Sequence, residues 1–266
     1  MRAEVGRRRV AGSELEVVRY PRPDRRRRPP VVLLHEGLGS VGRWSSFPSD
    51  LAERLRTEVI AYSRAGYGRS DGAPGPWPDR FMDREAHGVL PELLDGLRLD
   101  APPVLLGHSD GGSIALLYAG GPAEPRERRV EPAGVVALAP HLFVESRTLD
   151  GIRDLDRRWR RSERFRSAFA FHHRAGRALF EAWRDVWLRP SFRAWNILGA
   201  VRRIRVPILA VQGEDDAFGT PEQLRVLEEL APQTRRLELP DCGHAPHLER
   251  PEAVLDAVGE FFDAVE

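Results

Sequence analysis

The sequence predicts an α/β domain, with a mostly parallel central sheet flanked by helices and interrupted by a helical insertion. Three observations carry this. Short, almost wholly apolar runs recur along the chain, with the length of strands buried on both faces. Helical patterns separate most of them, and strand–helix alternation builds a parallel sheet. One long segment, 141–204, shows helical patterns and no convincing strand.

The elements follow in order. "ELEVVRY" at 14–20 alternates and reads as a strand. "PRPDRRRRPP" comes next, and its consecutive arginines, Arg25 to Arg28, read as a solvated hairpin loop rather than an anion site. Apolar runs then fall at 31–35, 57–63, 103–107, 134–140, 207–213 and 235–240. Helical patterns fall at 47–55, 80–97, 109–119, 221–230 and 251–265. Two of these begin near Pro221 and Pro251, where proline suits a first helical turn. There is no internal repeat. The chain divides into a sheet domain, 1–140 with 205–266, and a helical cap, 141–204. Open α/β sheets bind ligands at the carboxyl ends of their strands. A cap placed there shapes a pocket and excludes water.

Bulk properties narrow the function classes. The 266 residues are 41% hydrophobic, enough for a real core, which argues against global disorder. A formal net charge of +1 gives no push toward nucleic acid or a membrane surface. Every basic residue is arginine, so no lysine Schiff base can form. The single cysteine, Cys242, supports neither an intramolecular disulfide nor a thiolate zinc cluster. No signal peptide or bilayer-spanning run is read, so the expectation is a cytoplasmic protein without nucleic-acid or membrane partners.

Chemistry concentrates in "LLGHSDGGS", 105–113. Gly107-His108-Ser109-Asp110-Gly111 matches G-x-S-x-G, with a buried strand before it and a helical run after it. That is the strand–turn–helix setting of a nucleophile elbow. Side chains at 107 or 111 would collide with neighbouring elements. A serine hydroxyl needs a base to take its proton, and the base needs a carboxylate. "VQGEDDAFG" offers Glu214, Asp215 and Asp216 at a strand end; "LPDCGHAPH" offers His244 and His247.

These motifs, in this order, resemble the α/β-hydrolase superfamily from about residue 14 to the C-terminus. The resemblance implies a capped α/β-hydrolase fold with a catalytic triad. Ser109 would be the nucleophile, His244 the base and Asp216 the acid, with Asp215 and then Glu145 as competitors for the acid and His247 as competitor for the base. "SRAGYGRSD" (63–71) resembles the family's loop after the preceding strand, and "HEGLGS" (35–40) its oxyanion loop. The amides of Gly37 and Asp110 would form the oxyanion hole. Glu36 departs from the pattern, standing where the family has glycine. A carboxylate there opposes a developing negative charge unless it is paired, and the expected neutraliser is Arg64 or a buried hydrogen bond.

The implied activity is that of a serine esterase: cleavage of small carboxylic esters, thioesters or lactones through an acyl-enzyme. Alternatives on the same triad are C–C bond hydrolysis, perhydrolase or haloperoxidase activity and acyl transfer. A slow-turnover ligand sensor is a further alternative. The small-molecule substrate is expected to meet Glu36, Trp183, Trp187 and His172. No metal or organic cofactor is expected. Adjacent His172 and His173 on a helix point about a quarter-turn apart and chelate poorly. The arginines within 157–166 read as a solvated helix face.

Overall fold

All of the expected strands form, together with one more that pairs ahead of them. The computed structural model describes residues 3–21, 28–72, 75–122 and 130–265. The strands are β1 (Glu4–Val10), β2 (Ser13–Tyr20), β3 (Val31–Leu34), β4 (Val59–Tyr62), β5 (Val104–His108), β6 (Gly134–Leu138), β7 (Ile208–Gly213) and β8 (Thr234–Leu239). They make one eight-stranded sheet in the order β1-β2-β4-β3-β5-β6-β7-β8. The β1–β2 and β2–β4 pairs are antiparallel, and every later pair is parallel. β1 was not expected because "EVGRRRV" leaves all but Val10 exposed, so it carries no apolar signature. Of the arginine run, Arg25 to Arg27 lie outside the described residues. Arg28 is held rather than solvated: its guanidinium donates to the Leu55 carbonyl at 2.8 Å.

The parallel strands alternate their side chains between two cores. Val32, Leu34, Ile60, Leu105, Val135 and Ala210 face one side, with α3 (Leu90–Leu97), α4 (Asp110–Gly120) and α9 (Glu222–Leu230) packed on it. Val31, Leu33, Val59, Leu106, Val136 and Leu209 face the other, under α1 (Phe47–Leu55) and α11 (Pro251–Val265). Each such valine, leucine or isoleucine, fully buried, contributes about 1.5–3 kcal/mol.

The helix expected over 80–97 is interrupted. It runs as α2 (Phe81–Arg84), a π turn (Glu85–Val89) and then α3. Pro91 lies in the first turn of α3. A proline inside a helix removes one i→i−4 bond and crowds the carbonyl four residues back. The wider π turn ahead of it accommodates both effects.

Between β6 and β7 the chain forms α5 (Ser146–Arg161), α6 (Glu163–His172), α7 (Gly176–Leu188) and α8 (Leu198–Val201). Its ends are stitched together by a Phe143–Asn196 bridge and by the Ile197 amide on the Leu142 carbonyl at 2.8 Å. A hydrophobic cluster of Leu179 with the aromatic Tyr67, Trp159, Phe169 and Phe180 packs these helices on the loop after β4. His173 clamps the same contact. Its Nδ1 accepts the Gly68 amide at 3.1 Å, and its Nε2 donates to the Leu38 carbonyl at 3.0 Å. The helices α10 (Pro246–Glu249) and α11 close the chain. No helix among the described residues is long and apolar enough to cross a membrane.

Candidate active site

β5 ends one residue before Ser109, and α4 begins one residue after it. Ser109 has φ 53° and ψ −120°, on the left-handed side that costs a non-glycine residue on the order of 1–3 kcal/mol. Two things hold it there. Its amide donates to the Leu138 carbonyl of β6 at 2.8 Å. The first turn of α4 also presses onto neighbouring main chain. A Cβ on Gly111 would fall on the carbonyl of Leu34, and one on Gly107 on the carbonyl of Gly111.

The turns after β7 and β8 bring the other partners. His244 Nε2 lies 2.9 Å from Ser109 Oγ, and His244 Nδ1 lies 2.8 Å from Asp216 Oδ2. A carboxylate accepts, so Nδ1 carries the hydrogen and Nε2 is left to accept from the serine. Asp216 is fully buried and saturated with donors. Gln212 Nε2 donates to Oδ2 at 2.5 Å, and the Phe218 and Gly219 amides donate to Oδ1 at 2.7 and 3.3 Å. Burial alone would raise its carboxyl. The charge and hydrogen bond of His244 and the Phe218 amide outweigh burial and hold it below its usual range.

The competing residues are engaged elsewhere. Asp215 is exposed. Glu145 accepts from Thr220 Oγ1 at 2.5 Å and from Gln223 at 2.7 Å. His247 is buried between Trp44, Phe47 and His108, with ring centroids 4.8, 5.3 and 4.7 Å away. Burial, then His108, pushes it well below the usual histidine range. Cys242 is buried, and burial raises its thiol to about 11.

The second aspartate, Asp110, opens α4. As the first helical residue its amide has no intrahelical acceptor. Its side chain is buried, and no donor reaches its Oδ2 in good hydrogen-bond geometry, the Trp183 indole N–H being the one that bears on it. Burial pushes this carboxyl up to about 6, against the pull of Arg64 and His244. Gly37, expected in the oxyanion loop, lies against it: a Cβ there would sit 2.8 Å from Asp110 Oδ2 and on top of Trp183 Nε1.

Of the two neutralisers expected for Glu36, Arg64 or a buried polar partner, the first is corrected. Arg64 does not neutralise its carboxylate. The guanidinium donates instead to the Glu36 main-chain carbonyl at 2.9 Å and lies 4.6 Å over the Tyr67 ring. The carboxylate turns the other way, toward His108 Nδ1 at 3.6 Å and Arg43 Nε at 3.9 Å. Burial opposes its charge, but His108, His35 and Arg43 together hold the carboxyl well below its usual range.

Of the residues expected to meet substrate, Trp183 reaches the site wall at Gly37. Trp187 is buried and packs edge-on to His141, centroids 5.0 Å apart. His172 sits over Gly42, where a Cβ would be 3.2 Å from its Nδ1, and no contact joins it to Ser109 or His244. Sequence reading passed over His141. It is 3% exposed and 6.0 Å from the His244 ring, and burial pushes it down to about 3, so a neutral ring walls His244. Arg157 and Arg160 pair with Asp154 and Asp156 on their own helix. A cavity of about 710 Å³ opens beside the site, lined by Arg64, Tyr67, Trp77, Phe81 and Glu85, but it does not contain Ser109. Among the described residues no cluster of three or more His, Cys, Asp or Glu is placed to hold a metal ion.

Comparison with known proteins agrees with this fold. Residues 31–257 match the family described as "Alpha/beta hydrolase family". A pimeloyl-[acyl-carrier protein] methyl ester esterase of Nitrosospira multiformis is 24% identical, over 88% of this chain and 94% of its own. The polyketide synthase ThaQ of Burkholderia thailandensis is 32% identical over 95% of this chain, which spans only 12% of that protein. Among solved structures, the proline iminopeptidase of Mycobacterium smegmatis superposes with TM-score 0.77 at 16% identity, covering 98% of both chains. The enol-lactonase of Burkholderia xenovorans LB400 gives 0.72 at 21% identity, over 97% of this chain and 100% of its own. The chain belongs to the alpha/beta hydrolase family and is a hydrolase.

Proposed function

We propose that the protein is a serine hydrolase of small carboxylic esters, thioesters or lactones, acting through an acyl-enzyme. The observation that carries this reading is the hydrogen-bonded run from Ser109 Oγ through the His244 ring to the buried Asp216 carboxylate, at 2.9 and 2.8 Å. Ser109 Oγ attacks the substrate carbonyl while its proton passes to His244 Nε2. Asp216, kept ionised by its donors, fixes the ring tautomer and stabilises the imidazolium. The amides of Gly37 and Asp110 receive the oxyanion. The imidazolium returns its proton to the leaving alcohol, thiol or ring oxygen. Water, deprotonated by the same nitrogen, then releases the acid and restores the serine. Segment 141–204 acts as the cap, with Trp183 on the wall of the acyl site. The named esterase and enol-lactonase among the relatives support the ester and lactone class.

Hydrolysis of p-nitrophenyl acetate and butyrate, followed from burst to steady state, tests the reading. The expected result is many turnovers in the wild type and none above background in Ser109→Ala. Equal turnover in both proteins would overturn it.

A further inference from the structure

Glu36 is unexplained by the acyl-transfer steps, yet it adjoins them. Its Oε2 faces His108 Nδ1 at 3.6 Å. The other nitrogen of that ring, Nε2, lies 2.7 Å from the main-chain oxygen of His244. A carbonyl oxygen only accepts, so Nε2 carries a hydrogen. A neutral ring would then aim the bare Nδ1 lone pair at a carboxylate, acceptor against acceptor. At 3.6 Å the contact is an ion-pair distance rather than a hydrogen bond, and a second proton, on Nδ1, turns it from repulsion into attraction.

Each partner in this chain is attached to a proposed site residue. Glu36 precedes Gly37, His108 precedes Ser109, and the carbonyl belongs to His244 itself. The pair is enclosed. His108 is 3% exposed, with the His247 ring 4.7 Å and the His244 ring 5.1 Å away. Arg43 faces the other Glu36 oxygen, and His35, His172 and His173 contribute to the field at that carboxyl or feel it. Gly39 leaves room for the carboxyl group, since a Cβ there would meet its carbon at 2.5 Å.

We propose that Glu36 and a protonated His108 form an ion pair and act as positioning residues, clamping the His244 carbonyl to both the oxyanion loop and the nucleophile elbow. This rests on the proposed roles of Ser109 and His244. The clamp holds the base in reach of Oγ while the proton moves, and a slip of about 1 Å there costs on the order of 100-fold in rate.

Ring-nitrogen NMR on ¹⁵N-histidine-labelled protein at pH 7 tests the clamp without reference to catalysis. Both His108 nitrogens are expected to carry protons in the wild type. In Glu36→Gln, Nδ1 becomes a bare acceptor, because a carboxamide can donate to it. A bare Nδ1 in the wild type would overturn the proposal. In ester hydrolysis, His108→Ala is expected to lower kcat about 10- to 100-fold with KM within about threefold. His108→Gln, which can still donate to the carbonyl, should recover most of the loss. An unchanged kcat in His108→Ala would also overturn it. Should that variant not fold, Glu36→Gln carries the kinetic test with the same split. A wild type inert toward every ester counts against the substrate reading, and the ring spectrum still decides the clamp.

Discussion

Two buried aspartates flank Ser109 and His244, and their surroundings drive them in opposite directions. Asp216, in the turn after β7, is fully buried but accepts from His244, Gln212 and two main-chain amides, and its carboxyl is held below the usual range. Asp110, at the start of α4, is 1% exposed with only the poorly aligned Trp183 indole N–H to donate to Oδ2, and its carboxyl rises to about 6. Burial is the largest influence on both and pushes both upward. Hydrogen-bond donors decide which one stays charged. The stable negative charge therefore lies behind the His244 ring, where the proposed mechanism needs it to stabilise an imidazolium, and the weakly held one lies beside Gly37.

The largest expected effect breaks the Asp216 side of this comparison. Asp216→Asn should lower kcat by about 10³- to 10⁴-fold, because an amide cannot enforce the Nδ1–H tautomer. Asp215→Ala, at an exposed neighbour, should change kcat less than about twofold and stability by less than about 0.5 kcal/mol. Equal losses at both positions in ester hydrolysis would contradict the assignment.

A smaller effect sharpens the Asp110 side. Its carboxyl titrates at about 6 when folded and near the ordinary 3.8 when unfolded. The unfolded chain therefore loses its proton first as pH rises. Wild-type stability is favoured below about pH 4, declines between about pH 4 and 6, and carries a constant cost above that, at most about 3 kcal/mol. Asp110→Asn keeps the main-chain amide and removes the titration. Denaturant unfolding across that window should show the variant gaining on the wild type as pH rises. A constant difference between the two proteins would contradict it.

The legible parts of the molecule were those that burial writes into the sequence. β3 to β7 are buried at every position, so their apolar runs stood out against polar connections. β1 stayed hidden because it is an edge strand of exposed charged side chains whose pairing lies in its backbone. The elbow was legible through its glycines, and the family pattern pointed to Asp216 over Asp215. Which group faces Glu36 was not legible. Pairing of β3 with β5 sets residues 36 and 108 at neighbouring strand ends, and the side chain of Glu36 turns away from Arg64. Arg64 was the plausible partner by charge, and the turn of the loop delivered its main-chain carbonyl instead.

The central claim is that Ser109 is the nucleophile, made reactive by His244. Reaction with a fluorophosphonate, read by intact mass and peptide mapping, tests it most directly and needs no knowledge of the natural substrate. One phosphonyl group per chain is expected, on the peptide carrying Ser109, and none in Ser109→Ala. Labelling that persists in Ser109→Ala, or a wild type that stays unlabelled, would contradict it.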